Sequence, residues 1–181
     1  MRFNTKLLHG NKMGDANTGA TLTPVYQSSA FYQPSAEQHE KLFHNKATGF
    51  SYTRINNPTI FAFEERMTTL EGGLASVACA SGMAAITNAL LNIVTCGQEI
   101  VASTSLYGGS IDVFHDFEAF GIKTVFVDIS DVNAVEAAIN ENTRVIFAET
   151  IGNPKLDVVD IEALAELAHQ HNLPLVMDNT V

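Results

Sequence analysis

From residue 74 to residue 177, short apolar runs alternate with segments whose apolar side chains recur every three or four positions. The runs are Leu74 to Cys79, Glu99 to Ala102, Ile122 to Val127, Arg144 to Ala148 and Leu173 to Met177. Between them, Met83, Ile86, Leu90 and Ile93 keep helical spacing, as does a stretch from about Ser110 to Phe120. Val132, Val135 and Ile139 follow a Ser130 or Asp131 cap, and Ile161, Leu164 and Ala168 follow Asp160. Uninterrupted apolar strands joined by helices predict an α/β fold, a mostly parallel sheet with helices on both faces. Ligands of such sheets bind outside the carboxyl ends of the strands, so chemistry is sought where each run stops.

Residues 1–59 are of another kind. They lack sustained periodicity, are rich in Asn, Thr, Ser, Gln and Tyr, and read as an extended arm with one short helix near Glu37 to Phe43. After Pro58-Thr59, Phe61, Met67 and Leu70 mark an amphipathic helix that Gly72-Gly73 stops. The expected division is therefore an arm, 1–59, and the first part of an α/β domain, 60–181.

At 181 residues and 46% apolar, the chain can bury a core. Its formal charge of −10, with scattered Lys and Arg, leaves no basic stripe for a nucleic acid. The uncharged stretch Gly72 to Gln98 is broken by Ser81-Gly82, Asn88 and Asn92, which suits a strand and buried helix better than a membrane span. Cys79 and Cys96 form no CxxC pair and have no zinc-type His spacing, so no metal site is expected, and the absence of a secretory leader points to the cytoplasm.

The run ends hold the candidate site residues. Ser81, Gly82 and Met83 lie between a run and a helix, where unpaired N–H groups either cradle a phosphate or simply make a turn. Asp178 ends an apolar run and needs either a cationic partner, such as a protonated heterocyclic nitrogen, or donors in its own turn. Tyr107 is a flat face for a planar ring or a packed aromatic. Tyr52 and Arg54, two apart in an extended stretch, share a side and either hold a phosphate together or leave a solvated guanidinium. Asn153 before Pro154 presents its amide from a turn or only shapes that turn. His169, His171, Glu162, Glu166 and Cys96 are assigned no chemistry.

Six segments occur in order along the chain: Thr23-Pro24-Val25-Tyr26-Gln27-Ser28-Ser29, Tyr52-Thr53-Arg54-Ile55-Asn56-Asn57-Pro58-Thr59, Ala80-Ser81-Gly82-Met83-Ala84-Ala85-Ile86, Leu106-Tyr107-Gly108-Gly109, Glu149-Thr150-Ile151-Gly152-Asn153-Pro154 and Asp178-Asn179-Thr180. As a set they resemble the Cys/Met-metabolism family of pyridoxal-phosphate enzymes, of the aspartate-aminotransferase-like fold (fold type I), and most of all its O-acetylhomoserine sulfhydrylase branch. The resemblance implies that the Ser81-Gly82-Met83 turn binds the cofactor phosphate, with Gly82 and Met83 using backbone N–H groups, and that Tyr52 and Arg54 reach the same phosphate from a neighbouring subunit. It further implies that Tyr107 stacks on the ring, Asn153 bonds its phenolic oxygen, Asp178 pairs with its nitrogen and Thr180 packs against it. Tyr107 and Asp178 are the implied catalytic residues, and the implied assembly is a homotetramer of dimers sharing active sites.

The implied reaction is γ-replacement on an amino-acid substrate: O-acetyl-L-homoserine and sulfide, or a thiol, give homocysteine and acetate. Cystathionine γ-synthase or γ-lyase, methionine γ-lyase and a non-catalytic fragment are the alternatives. Gly109 leans away from the methionine γ-lyases, which more often carry Cys there. The family's Schiff-base lysine, and its arginine for the substrate carboxylate, belong downstream of the Asp-Asn-Thr segment. None of Lys6, Lys12, Lys41, Lys46, Lys123 or Lys155 matches that place. The expectation is an amino-terminal piece of a longer enzyme whose remainder continues past Val181, a view that an intact-mass measurement tests.

Overall fold

The structure, a computed structural model, describes residues 2–9, 14–15 and 17–181; Lys12 lies outside them. The chain forms two compact units, Met1–Ala78 and Cys79–Val181.

In the first unit, α1 (Phe3–His9), α2 (Ala36–Phe43) and α3 (Pro58–Glu71) are set in extended chain. The helix expected near Glu37 to Phe43 forms, capped by Ser35, whose hydroxyl accepts from the Gln38 amide. A helix at Phe3–His9 was not foreseen, because its Phe, Leu, Leu spacing is too short to stand out. Asn57 organises this unit. Its side-chain oxygen accepts from the Thr59 amide at the start of α3, while its side-chain nitrogen donates to Tyr26 O and Thr53 Oγ1, each at 3.0 Å. Pro58 follows at the first helical position, where its missing N–H costs nothing, and Gly72 ends α3 at φ +64°. Asn57 is the one buried residue among those described here, so the unit has no apolar core of its own.

One expected strand does not form. Residues 74–79 belong to no sheet, and Leu74 and Val77 are exposed. The segment is tied to side chains of α3 instead: its backbone amide Ala78 N donates to Glu64 Oε1 at 2.8 Å, and the Ser76 hydroxyl meets that of Thr68 at 2.8 Å. An apolar run becomes a strand only where another strand takes its N–H and C=O groups.

The second unit holds the alternation. Its strands β1 (Glu99–Ser103), β2 (Lys123–Val127), β3 (Thr143–Glu149) and β4 (Leu175–Asp178) make a wholly parallel sheet in the order β2-β1-β3-β4. Successive residues of β1 and β3 face opposite ways. Ile100, Ala102, Val145 and Phe147 pack with α4 (Gly82–Leu91) and α5 (Gly108–Glu118), through Ile86, Leu90, Phe114 and Phe117. Val101, Ile146 and Ala148 pack with α6 (Val132–Ala138) and α7 (Ile161–Gln170), through Val135, Leu164 and Leu167. The central strands are thus apolar on both faces, as the uninterrupted runs require. At the amino ends of the strands Glu99 accepts from Lys123 Nζ at 3.0 Å and from Asn140 Nδ2 at 2.7 Å, tying β1 to β2 and to the turn before β3.

The chain leaves β1 for β2 on one side and later reaches β3 on the other. The strand order therefore reverses between β1 and β3, and a crevice opens at the carboxyl ends of the strands there.

Candidate functional site

That crevice is a cavity of about 350 Å³, and all its walls come from the second unit. Ser81, Gly82, Met83, Tyr107, Asn153, Asp178 and Thr180, all singled out from sequence, line it. Ile86, Ile151 and Leu156 supply its apolar surface, and no basic side chain is among its lining residues.

Each polar group is placed by an element end. Ser81 is the N-cap of α4, and its hydroxyl accepts from the Ala84 amide at 3.1 Å. That bond commits the hydroxyl to the helix, and the N–H groups of Gly82 and Met83, which line the cavity, belong to the first turn and so have no intrahelical partners. A Cβ added at Gly82 would meet nothing within 4 Å, so the approach to these amides is open.

Asp178 closes β4. Its Oδ1 accepts from Thr180 N at 3.0 Å and Thr180 Oγ1 at 2.5 Å, so the turn-bonded arrangement weighed from sequence exists, and it orients the carboxylate on the cavity wall. Thr150 donates to Asn179 Oδ1 at 2.8 Å and fastens the same turn to the end of β3.

Asn153 is exposed on the turn after β3, which Gly152 N→Asp157 O and Leu156 N→Gly152 O close at 2.8 Å each. Gly152 is buried against Ser105: a Cβ there would lie 2.4 Å from Ser105 Oγ and 3.0 Å from Ser105 O. Only glycine lets the connections after β1 and β3 approach so closely.

Tyr107 caps α5 and keeps 53% of its surface exposed. Its ring lies over Gly109, where a Cβ would fall 2.5 Å from Cε1.

Sequence reasoning gave Glu149 no role, yet it is the buried acid of the site. It is 7% exposed, is the register partner of Asp178, and its Oε1 accepts from Tyr107 N at 2.7 Å. Burial pushes its carboxyl above the ordinary glutamate value, the Tyr107 amide pulls it down, the Asp178 charge pushes it up and the nearby Ser110 hydroxyl pulls it down. The available signal was an acid ending the apolar run Val145 to Ala148 beside a second strand ending in an acid.

Tyr52 and Arg54 belong to the first unit. Both are exposed, and the expected extended stretch is instead a turn closed by Ile55 N donating to Tyr52 O at 2.9 Å, which sets the guanidinium carbon 5.0 Å from the Tyr52 ring centre.

The donor set suits a flat anionic heterocycle: helix amides for an anion, an aromatic face for a ring and a carboxylate for a ring N–H. Among the described residues no group of His, Cys, Asp and Glu could hold a metal ion, and no helix is long and apolar enough to cross a membrane.

A family model described as Cys/Met metabolism PLP-dependent enzyme matches residues 4–181. The O-acetyl-L-homoserine sulfhydrylase of Leptospira meyeri is 46% identical over 178 residues, 98% of this chain and 40% of its own. The L-methionine gamma-lyase of Pseudomonas putida is 38% identical over 179 residues, 98% of this chain and 45% of its own. Among solved structures, a Campylobacter jejuni protein provisionally named an O-acetylhomoserine (thiol)-lyase matches with a TM-score of 0.94 and 32% identity, over 100% of this chain and 45% of its own; it carries N'-pyridoxyl-lysine-5'-monophosphate. The chain spans about two fifths of the length of these sulfhydrylase relatives.

Proposed function

Because the chain belongs to the Cys/Met-metabolism family of PLP-dependent enzymes, we propose that the complete protein carries out γ-replacement on O-acetyl-L-homoserine, with sulfide or a thiol displacing acetate and sulfide yielding homocysteine. The observation that carries this reading is the gathering of the α4 amides, the Tyr107 ring and the Asp178 carboxylate on one cavity. The choice of reaction leans on the 46% identity to a sulfhydrylase against 38% to a methionine gamma-lyase.

In this reading Gly82 and Met83 hold the phosphate of pyridoxal phosphate through their N–H groups, within the turn that Ser81 caps. Tyr107 covers one ring face, Asn153 bonds the phenolic oxygen and Thr180 packs at the ring edge while steadying Asp178. Asp178 holds a proton on the ring nitrogen. When bound, the cofactor supplies an electron sink for the carbanion left by loss of an amino-acid α-proton. The lysine that anchors it is proposed to come from sequence outside these 181 residues.

Residues 1–59 are proposed to act as an arm that brings Tyr52 and Arg54 to the phosphate in a neighbouring subunit of a cytoplasmic homotetramer. The pairing of Arg54 with Tyr52 supports this, since it presents a hydroxyl and a guanidinium on one side.

The test is to supply the full-length protein with pyridoxal phosphate, O-acetyl-L-homoserine and sulfide and assay homocysteine, alongside methionine alone. Homocysteine without breakdown of methionine is expected. Methionine breakdown in its place would move the assignment to γ-elimination, the second reading that the Pseudomonas putida relative favours. No activity and no cofactor band would leave the inactive-fragment reading.

A further inference from the structure

We propose that Glu149 is a positioning residue, whose buried carboxylate fixes the backbone at Tyr107 and, with it, the ring on the cavity wall. The exposed Tyr107 ring is not held by burial, and its side chain makes no capping bond to α5. Its carbonyl accepts from Ser110 N and Ile111 N at the start of α5, and the bond that ties the residue to the sheet is its amide, 2.7 Å from Glu149 Oε1, with the ring laid over the bare Cα of Gly109. Glu149 stands on the rigid end of β3, in register with Asp178, so one pair of strand ends sets both the carboxylate and the aromatic wall. Burying an acid costs more than burying an amide. The acid offers in return a charge-assisted bond about twice as strong as a neutral one.

The use of the ring as a cofactor platform rests on the function proposed above, whereas its placement by Glu149 does not. The experiment therefore has two readouts, both on the full-length protein. Hydrogen exchange at the Tyr107 amide reports placement without any cofactor. E149A should speed that exchange about tenfold, the scale of one lost charge-assisted bond. E149Q, which keeps an acceptor oxygen, should restore it to within about threefold of the parent. E149D, one methylene shorter, should fall with E149A and serves if the alanine variant does not fold. Pyridoxal phosphate affinity, followed by absorbance, should weaken about tenfold in E149A and recover in E149Q. In a Y107A background, E149A should add little further loss. Unchanged Tyr107 exchange in E149A and E149D overturns the inference, as does an equal loss of cofactor affinity with and without the Tyr107 ring. A parent that binds no cofactor, with Tyr107 exchange still governed by Glu149, sinks the proposed function and leaves the inference standing.

Discussion

Asp178 shows how one side chain answers two demands. Its Oδ1 is held by Thr180, and an asparagine oxygen could accept the same two bonds. Asp178→Asn should therefore leave the melting temperature of the full-length protein within a few degrees and cut turnover by about 100-fold or more, the scale of a lost proton-holding group. Unchanged turnover in a steady-state assay would remove Asp178 from the chemistry. Gly152 makes the opposite kind of prediction. The Cβ of Gly152→Ala would fall 2.4 Å from Ser105 Oγ, with Ser105 backbone at 3.0 Å behind it. A loss of about 1–3 kcal/mol in denaturant unfolding is expected, because the connections after β1 and β3 must part to admit the methyl group.

At the level of elements, Asn57 starts α3 and also bonds Tyr26 O and Thr53 Oγ1. Asn57→Ala should cost about 2 kcal/mol, the upper end for an N-cap, because the substitution also removes the bonds to Tyr26 O and Thr53 Oγ1; chemical denaturation followed by circular dichroism measures it. Much of this level was legible. Asp131 and Asp160 mark the starts of α6 and α7, and the apolar runs at residues 99–102, 122–127, 144–148 and 173–177 became the four strands to within two or three residues. The run at 74–79 misled because apolar composition says nothing about a pairing neighbour, and Glu64 took its backbone instead. The rim residues from Ser81 to Thr180 were legible as run ends. Glu149 carried no visible role because its importance lies in a bond to an amide 42 positions away. Tyr52 and Arg54 do come together, but through a turn in which Ile55 N and Asn56 N donate to Tyr52 O, and not through the extended stretch that the alternation implied.

Among the described residues, the apolar core is confined to the second unit. Residues 79–181 produced alone should melt cooperatively by circular dichroism, and residues 1–78 alone should not, since the described apolar side chains of the shorter piece are at most partly buried and oppose chain entropy weakly. A cooperative transition in the shorter piece would contradict this. Acid response should also have two opposed contributions. Asn140 and Lys123 hold the Glu99 carboxyl below its usual value of 4.5, so its stabilisation is present above that value and lost as pH falls through the lowered one. Glu149 is raised above 4.5, so the folded state keeps its proton more tightly, and this contribution is greatest in acid and lost as pH rises through the raised value. Unfolding profiles against pH for E99Q and E149Q should each flatten one of the two slopes.

All four strands run the same way, and that gives the second unit a single compass direction. Glu99, Lys123 and Thr143 stand at the tail of the arrows, and Ser103, Glu149 and Asp178 at their heads. A comprehensive substitution survey should sort along this axis, with damage at the tails read as melting and damage at the heads read as altered ligand chemistry. Loop redesign at the heads, with Gly152 and its close contact to Ser105 left in place, is accordingly the place to look for new reactivity.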